Sequence, residues 1–305
     1  MSEIDTPNVD IREVVESLLL KMDVPYSVTP YDQRLHDVCC RRAIEQGYPM
    51  GTDPAVPSLR PFIPSGVIMA ATAYAHLENE ATRVFIALYT AFVVFVDDVY
   101  QRDNGAVRVF MERFVRGEKQ ADPLLDGLAH ILQELPDHFE PVVAGIILTA
   151  TLNLVNASTL EFQTQGMEVS HHAEGYPGFS RQMSGSSETY ALMAFPRHIS
   201  VQNYIQCVPE ATLYVAYGND VLSFYKEEIA GDTVNYISVL ARRQGVPNMT
   251  AFQELADEVG RSAAQVGKIL EGDQEAHDAW QKFKAGYVGF HTSFQDRYRL
   301  NELMN

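Results

Sequence analysis

The stretch Tyr217-Gly-Asn-Asp-Val-Leu-Ser-Phe-Tyr-Lys-Glu-Glu228 decides the reading of this 305-residue chain. It lies inside a helix predicted from Pro209 to Ala230. Proline suits a first helical position, and Gly231 suits the residue just past the end. Asn219, Ser223 and Glu227 recur every four residues. Each such step is about 6 Å of rise and about 40° of rotation, so the three face one way. They offer an amide oxygen, a hydroxyl and a carboxylate. Oxygen-only ligands suit a hard cation, and Mg²⁺ keeps waters and takes further oxygens from phosphates. Lys226 adds positive charge beside the carboxylate, so the face reads as metal plus anion. A polar row at this spacing is most often a solvated helix face. The apolar flanks (Ala211, Leu213, Tyr214, Val215, Val221) argue instead for a buried helix. Polar groups persist there only when something satisfies them.

Outward from that helix, the composition is that of one large domain, residues 1–305, with residues 1–30 a flexible N-terminal segment. Hydrophobic residues make up 46% of the chain, enough for a sizeable core, and no linker or repeat divides it. The net charge of −17 disfavours nucleic acid and anionic membranes as partners. An anionic substrate would then need cations to mediate its binding. Cys39, Cys40 and Cys207 are odd in number and two are adjacent, which is no disulfide framework and points to a reducing cytoplasm. The opening Met-Ser-Glu-Ile-Asp-Thr-Pro lacks the apolar core of a signal peptide. The most apolar run, Val84 to Val96, is too short to span a membrane.

Helical periodicity dominates the rest. Helices are predicted over Ile11–Met22, Asp32–Gln46, Gly66–Leu77, Thr82–Tyr100, Ala106–Arg116, Pro123–Leu135 and Glu140–Gln163. Others follow over Phe179–Phe195, Val201–Cys207, Pro209–Ala230, Thr233–Gln244, Met249–Glu271 and Gln274–Glu302. Between Gly47 and Ser65 five prolines enforce a long connection. No alternating strand pattern competes, so the fold class is all-α.

A second acidic site follows the run Val84–Val96. Asp97 and Asp98 stand at the C-terminal end of their helix, where the dipole opposes negative charge. A divalent cation would offset that cost. Further on, Arg181 precedes Gly185 by four residues inside a helix stopped by Pro196, and Arg297-Tyr298 closes the chain's last helix. Arginine's planar fork and a phenol both suit phosphate oxygens.

Asn-Asp-x-x-Ser-x-x-x-Glu, with Lys before the Glu, resembles the second metal motif of class I terpene cyclases, and of the fungal trichodiene-synthase-like branch in particular. The resemblance covers roughly Val84 to Arg299. It implies a class I terpenoid synthase bundle around a central active-site cavity. It implies that Asn219, Ser223 and Glu227 hold one Mg²⁺ and that Asp97 bridges two more, three ions in all. Lys226, Arg181, Arg297 and Tyr298 would contact the substrate diphosphate, and Asp98 would pair with an arginine once the site closes. The helix break at Gly185 would turn a carbonyl toward the reacting carbon; Ser184 stands where many relatives carry an acid. The acidic motif departs from the usual Asp-Asp-x-x-Asp, since the next acid is Asp103. Val93, on the face of Asp97, and Phe290, near the face of Arg297, would wall the cavity.

The resemblance implies a sesquiterpene synthase: Mg²⁺-dependent ionisation of farnesyl diphosphate, then cyclisation of the carbocation to a hydrocarbon or alcohol. The partner is the isoprenoid diphosphate, and a homodimer is admitted. A prenyl-chain-elongating synthase shares the fold but carries two Asp-rich motifs, which the Asn219 set replaces here. A non-catalytic helical isoprenoid-binding protein is the alternative of another class.

Overall fold

Each apolar stripe in this sequence must be buried against another, and with helical spacing throughout the solution is helix on helix. A computed structural model describes residues 10–53, 56–100, 105–170, 172–233 and 235–304. The first nine residues and Asp103 lie outside the described residues, as does the side chain of Tyr100. Among the described residues there is no strand.

Helix α1 (Ile11–Met22) is capped by the Asp10 carboxylate and buries Val14, Val15, Leu18 and Leu19. It docks on a later helix, where Lys21 meets Asp257 at 2.5 Å. Much of the segment read as flexible is therefore a packed helix. Helix α2 (Gln33–Glu45) is capped by Asp32. The proline-rich connection folds back on itself, with the Arg60 guanidinium donating to the Met50 carbonyl. Then come α3 (Ile63–Thr72), α4 (Glu80–Tyr100), α5 (Phe110–Arg116), α6 (Pro123–Ile131), α7 (Leu135–His138) and α8 (Pro141–Gln163). The second half holds α9 (Tyr176–Ser184), α10 (Ser187–Met193), α11 (Val201–Tyr204), α12 (Val208–Ala230) and α13 (Tyr236–Gln244). It ends with α14 (Asn248–Ile269), α15 (Gln274–Ser293), α16 (Gln295–Tyr298) and α17 (Leu300–Met304).

Several predicted helices are divided. Phe179–Phe195 divides into α9 and α10 at Gly185 and Ser186, and Ser186 takes a left-handed φ of 45°. Gln274–Glu302 divides into α15, α16 and α17, with Arg299 at φ 58°. Pro123–Leu135 yields to a short tighter turn before α7. Helix α12 runs one residue earlier than predicted and ends at Gly231 in the left-handed region, where its N–H closes onto Glu227 and Glu228 carbonyls.

The interior is aromatic and its hydroxyls are used. Tyr74 donates to the Tyr190 carbonyl, Tyr214 to Lys284 and Tyr287 to Val215. Helix α8 is long and apolar enough to cross a membrane by length and composition. Here it packs Val143, Ile147, Leu154 and Val155 into the core, while Val142 and Phe162 are exposed. A cleft of about 730 Å³ lies among His76, Thr82, Phe139, Phe195 and Ala279, at the opposite end of α4 and α15 from Asp97 and Arg297.

Two glycines set the helix crossings. A Cβ on Gly66 of α3 would fall 1.8 Å from the Ala87 carbonyl oxygen of α4. One on Gly286 of α15 would fall 2.2 Å from the Thr72 carbonyl oxygen of α3. Backbone atoms cannot step aside as a side chain can, so both α4 and α15 lie against α3 at a distance only glycine permits. We predict that Gly286→Ala destabilises the fold by about 2 kcal/mol or more, as overpacking does. Gly218→Ala, whose Cβ would meet the Tyr287 ring at an ordinary 3.6 Å, leaves stability unchanged or raised. Denaturant titration of the two variants checks the contrast; equal losses would remove the steric argument.

Candidate active site

The C-terminal turn of α4 and one face of α12 present their polar groups to the segment that follows α15. On α12 the four-residue spacing is realised directly: the Ser223 hydroxyl donates to the Glu227 carboxylate at 2.6 Å. One turn back, the Asn219 amide nitrogen donates to the Tyr298 hydroxyl at 3.4 Å and lies 3.2 Å from Nε2 of His291. On α4, Asp98 accepts from both terminal nitrogens of Arg297 at 3.2 Å, and Asp97 lies 3.7 Å from the same guanidinium. Arg297 and Tyr298 are neighbours on α16, so one dipeptide touches both acidic elements. Lys226 completes the group, with Nζ 4.0 Å from Glu227 and 5.2 Å from the centre of the Tyr298 ring.

Arg181 approaches from α9. Its Nε donates to both Asp220 oxygens, at 3.0 and 2.8 Å, and one terminal nitrogen donates to the Ala216 carbonyl. Burial opposes charge on this guanidinium, but the Asp220 carboxylate outweighs it and holds the proton firmly. The helix break beside it has a steric cause. A Cβ on Gly185 would stand 2.5 Å from Arg181 Nη1 and 2.7 Å from the Ser187 hydroxyl. The Gly185 carbonyl accepts from Ser187 at 3.3 Å.

The charges press on one another. Burial raises the Asp97 carboxyl above the usual range, Arg297 opposes that rise, and Asp98 adds to it. Although 55% of the Asp97 side-chain surface is exposed, protein surrounds it on most sides. Burial also raises Glu227, against the Ser223 hydrogen bond, and lowers Lys226, with Arg297 adding to the effect. The Tyr298 phenol is pushed up to about 12 by burial, partly offset by Arg297.

Three residues that sequence reasoning passed over belong to the group. Asp220 sits inside the quoted motif, but one residue turns a helix by about 100°, so it faces Arg181 and not the side of Asn219, Ser223 and Glu227. Glu161, near the end of α8, is raised first by burial and then by Asp97, with Ser184 opposing the rise. His291, fully buried, packs between Tyr287 and Tyr298. No spacing in the sequence singles out Glu161 or His291. Val93 and Phe290 lie in the packed interior at 9% and 4% exposure, and Phe290 meets the Tyr298 ring edge-on at 5.6 Å.

Among the described residues no three His, Cys, Asp or Glu side chains converge closely enough to cage a cation. Asp97 on one side and Asn219, Ser223 and Glu227 on the other are two partial sets of oxygens. Such sets fit Mg²⁺, which retains waters and shares phosphate oxygens.

An all-helical bundle with two acidic faces bridged by a basic Arg-Tyr pair is the layout of a class I terpene cyclase. The chain belongs to the trichodiene synthase family: the family profile, trichodiene synthase (TRI5), matches residues 59–305. It is 37% identical to alpha-cuprenene synthase COP6 of Coprinopsis cinerea over 296 residues, 97% of this chain and 90% of that protein. It is 36% identical to monoterpene synthase 25 of Postia placenta over 249 residues, 81% of this chain and 74% of the other. Its fold matches the linalool/nerolidol synthase of Streptomyces clavuligerus with a TM-score of 0.63 at 15% identity, covering 88% of this chain and 98% of that one. The protein is a terpene cyclase, a lyase.

The raised carboxyls carry a prediction with a definite sign. A carboxyl raised by folding is stabilised in its protonated form. Stability therefore falls as pH climbs from the ordinary value, about 4, through the raised one, and the loss persists above that window. Glu227→Gln removes the buried charge, so the variant should melt above the parent at neutral pH while losing turnover. The parent's turnover should fall on the acid side at a pH above the ordinary carboxylate range. A lowered melting temperature in Glu227→Gln would contradict the assignment of a strained, ionised carboxylate there.

Proposed function

We propose that the protein is a sesquiterpene synthase that ionises farnesyl diphosphate and cyclises the resulting cation, with three Mg²⁺ ions as helpers. The observation that carries this reading is the Arg297-Tyr298 dipeptide, which touches Asp97 and Asp98 with one residue and Asn219 with the next. A diphosphate seated against that dipeptide lies within reach of oxygen ligands from both helices. Asp97 on one side, and Asn219, Ser223 and Glu227 on the other, would hold the cations; Ser223 would have to turn its hydroxyl hydrogen away from Glu227 to do so. Bound Mg²⁺ supplies the charge that draws electron density onto the departing diphosphate. Arg181, Lys226, Arg297 and Tyr298 donate to its oxygens, where negative charge develops as the carbon–oxygen bond breaks. The phenol and phenyl faces of the interior, with Val93 and Phe290 among the nearest apolar side chains, exclude water and offer π density to the cation. The unpaired Cys39, Cys40 and Cys207 suit a reducing cytoplasm.

Farnesyl diphosphate is favoured by the name of the cuprenene-forming relative; the monoterpene-forming relative makes geranyl diphosphate the control substrate. Incubation of each with Mg²⁺, with gas chromatography of volatiles and assay of released diphosphate, tests the reading. A cyclic C15 product and faster release from the farnesyl substrate are expected. Absence of Mg²⁺-dependent release from either would leave a helical binding protein.

Binding should also be cooperative, because Mg²⁺ held by partial ligand sets needs diphosphate oxygens to complete its shell. Mg²⁺ and inorganic diphosphate together should raise the melting temperature by more than the sum of their separate shifts. Arg297→Ala should lose most of that excess. Additive shifts in the parent would count against the cation-bridged clamp.

A further inference from the structure

The ring of His291 is fully buried on α15, and both of its hydrogen-bonding neighbours among the described residues, Asn219 and the Tyr287 carbonyl, are neutral. Nδ1 lies 2.8 Å from the Tyr287 carbonyl oxygen one turn back. A carbonyl only accepts, so Nδ1 carries the ring's hydrogen and Nε2 presents a lone pair. Nε2 lies 3.2 Å from the Asn219 amide nitrogen. The second hydrogen of that nitrogen goes to the Tyr298 hydroxyl. With both amide hydrogens engaged, the amide oxygen is turned away from His291. The flipped amide would set its oxygen against the Nε2 lone pair, acceptor facing acceptor.

We propose that His291 is a positioning residue that fixes the Asn219 amide with its oxygen toward the cation. The chain of constraint runs from the Tyr287 carbonyl through the imidazole tautomer to the amide plane. An asparagine side chain has nearly equal shape in its two orientations, yet only one presents an oxygen. A second partner that reads nitrogen from oxygen removes half of the orientations that would meet the metal with N–H. This rests on Asn219 being a cation ligand, and the experiment separates the two ideas.

Binding of inorganic diphosphate with Mg²⁺ is measured by titration calorimetry on the full chain, with melting temperatures taken without either. Outer-shell partners of metal ligands typically alter metal affinity by about 10–100-fold. His291→Leu should weaken the Mg²⁺-dependent binding by about tenfold or more, because nothing then distinguishes the two amide orientations. His291→Gln places an acceptor oxygen near the former Nε2 and should remain within a few-fold of the parent. Adding Asn219→Asp to His291→Leu should recover most of the loss, since a carboxylate presents an oxygen whichever way it turns. Asn219→Ala should bind weakly whatever stands at 291. If His291→Leu binds like the parent while Asn219→Ala does not, the positioning role is overturned and the ligand assignment stands. Equal weakness in His291→Gln and His291→Leu, or no recovery in the double variant, also overturns it, by tracing the loss to packing. If Asn219→Ala binds like the parent, the ligand assignment itself fails and the proposal falls with it.

Discussion

Arg297 holds the site together because α4 ends in charge that its own backbone repels. The last turn of a helix carries a partial negative charge, and Asp97 and Asp98 stand on that turn. A forked guanidinium that spans both Asp98 oxygens and stays near Asp97 answers the cost with two charge-assisted bonds. Delivering it requires α15 to stop at Ser293 and the chain to turn twice, through α16 and a left-handed Arg299. The same short helix then brings Tyr298 to Asn219 and beneath Lys226. The placement of the polar face of α12 relative to the acids of α4 is thus read through one dipeptide.

Arg181 is organised differently. It is tied to Asp220 and to the Ala216 carbonyl, both on α12, and lies over a glycine at the end of α9. Removing one partner of a buried ion pair costs about 3–5 kcal/mol, because the other charge is left unanswered. The guanidinium is therefore pre-oriented, with one terminal nitrogen still near the helix break. The left-handed Ser186 stores backbone strain at that break, where it separates α9 from α10. Glu161, near the end of α8, feels the Asp97 charge, which adds to the rise that burial imposes on its carboxyl.

What was legible in the sequence is what periodicity and end signals encode. The bounds of α12 followed from Pro209 and Gly231, and the shared polar face of Ser223 and Glu227 followed from four-residue spacing, which their hydrogen bond displays. Asp97 and Asp98 announced themselves by opposing a dipole. The breaks at Phe294 and Arg299 were not legible, because neither proline nor glycine marks them; contacts of Tyr298 with Phe290 and His291 favour the turn over a continued helix. Asp220 was read as part of the motif when its partner lay 39 residues upstream. Glu161 and His291 each stand singly among apolar or unpatterned neighbours, and only the packing of helices brings His291 to Asn219 and Glu161 under the influence of Asp97. A lone polar residue carries no period, so sequence alone has nothing from which to read its partner.

The glycine contacts of α3 have a consequence for chemistry rather than for stability. Helices α4 and α15, which bring Asp97, Phe290 and His291 to the site, are both seated on α3 by backbone meeting backbone. Side-chain packing can relax by rotamer changes, whereas such a contact has one distance. Sliding of packed helices takes microseconds to milliseconds. A carbocation confined between the two helices would react against walls that are still on its own timescale. With the seat fixed by atoms that cannot rotate, the backbone frame of the site is the same in every molecule, and only side chains are left to vary the surface an arriving chain would meet.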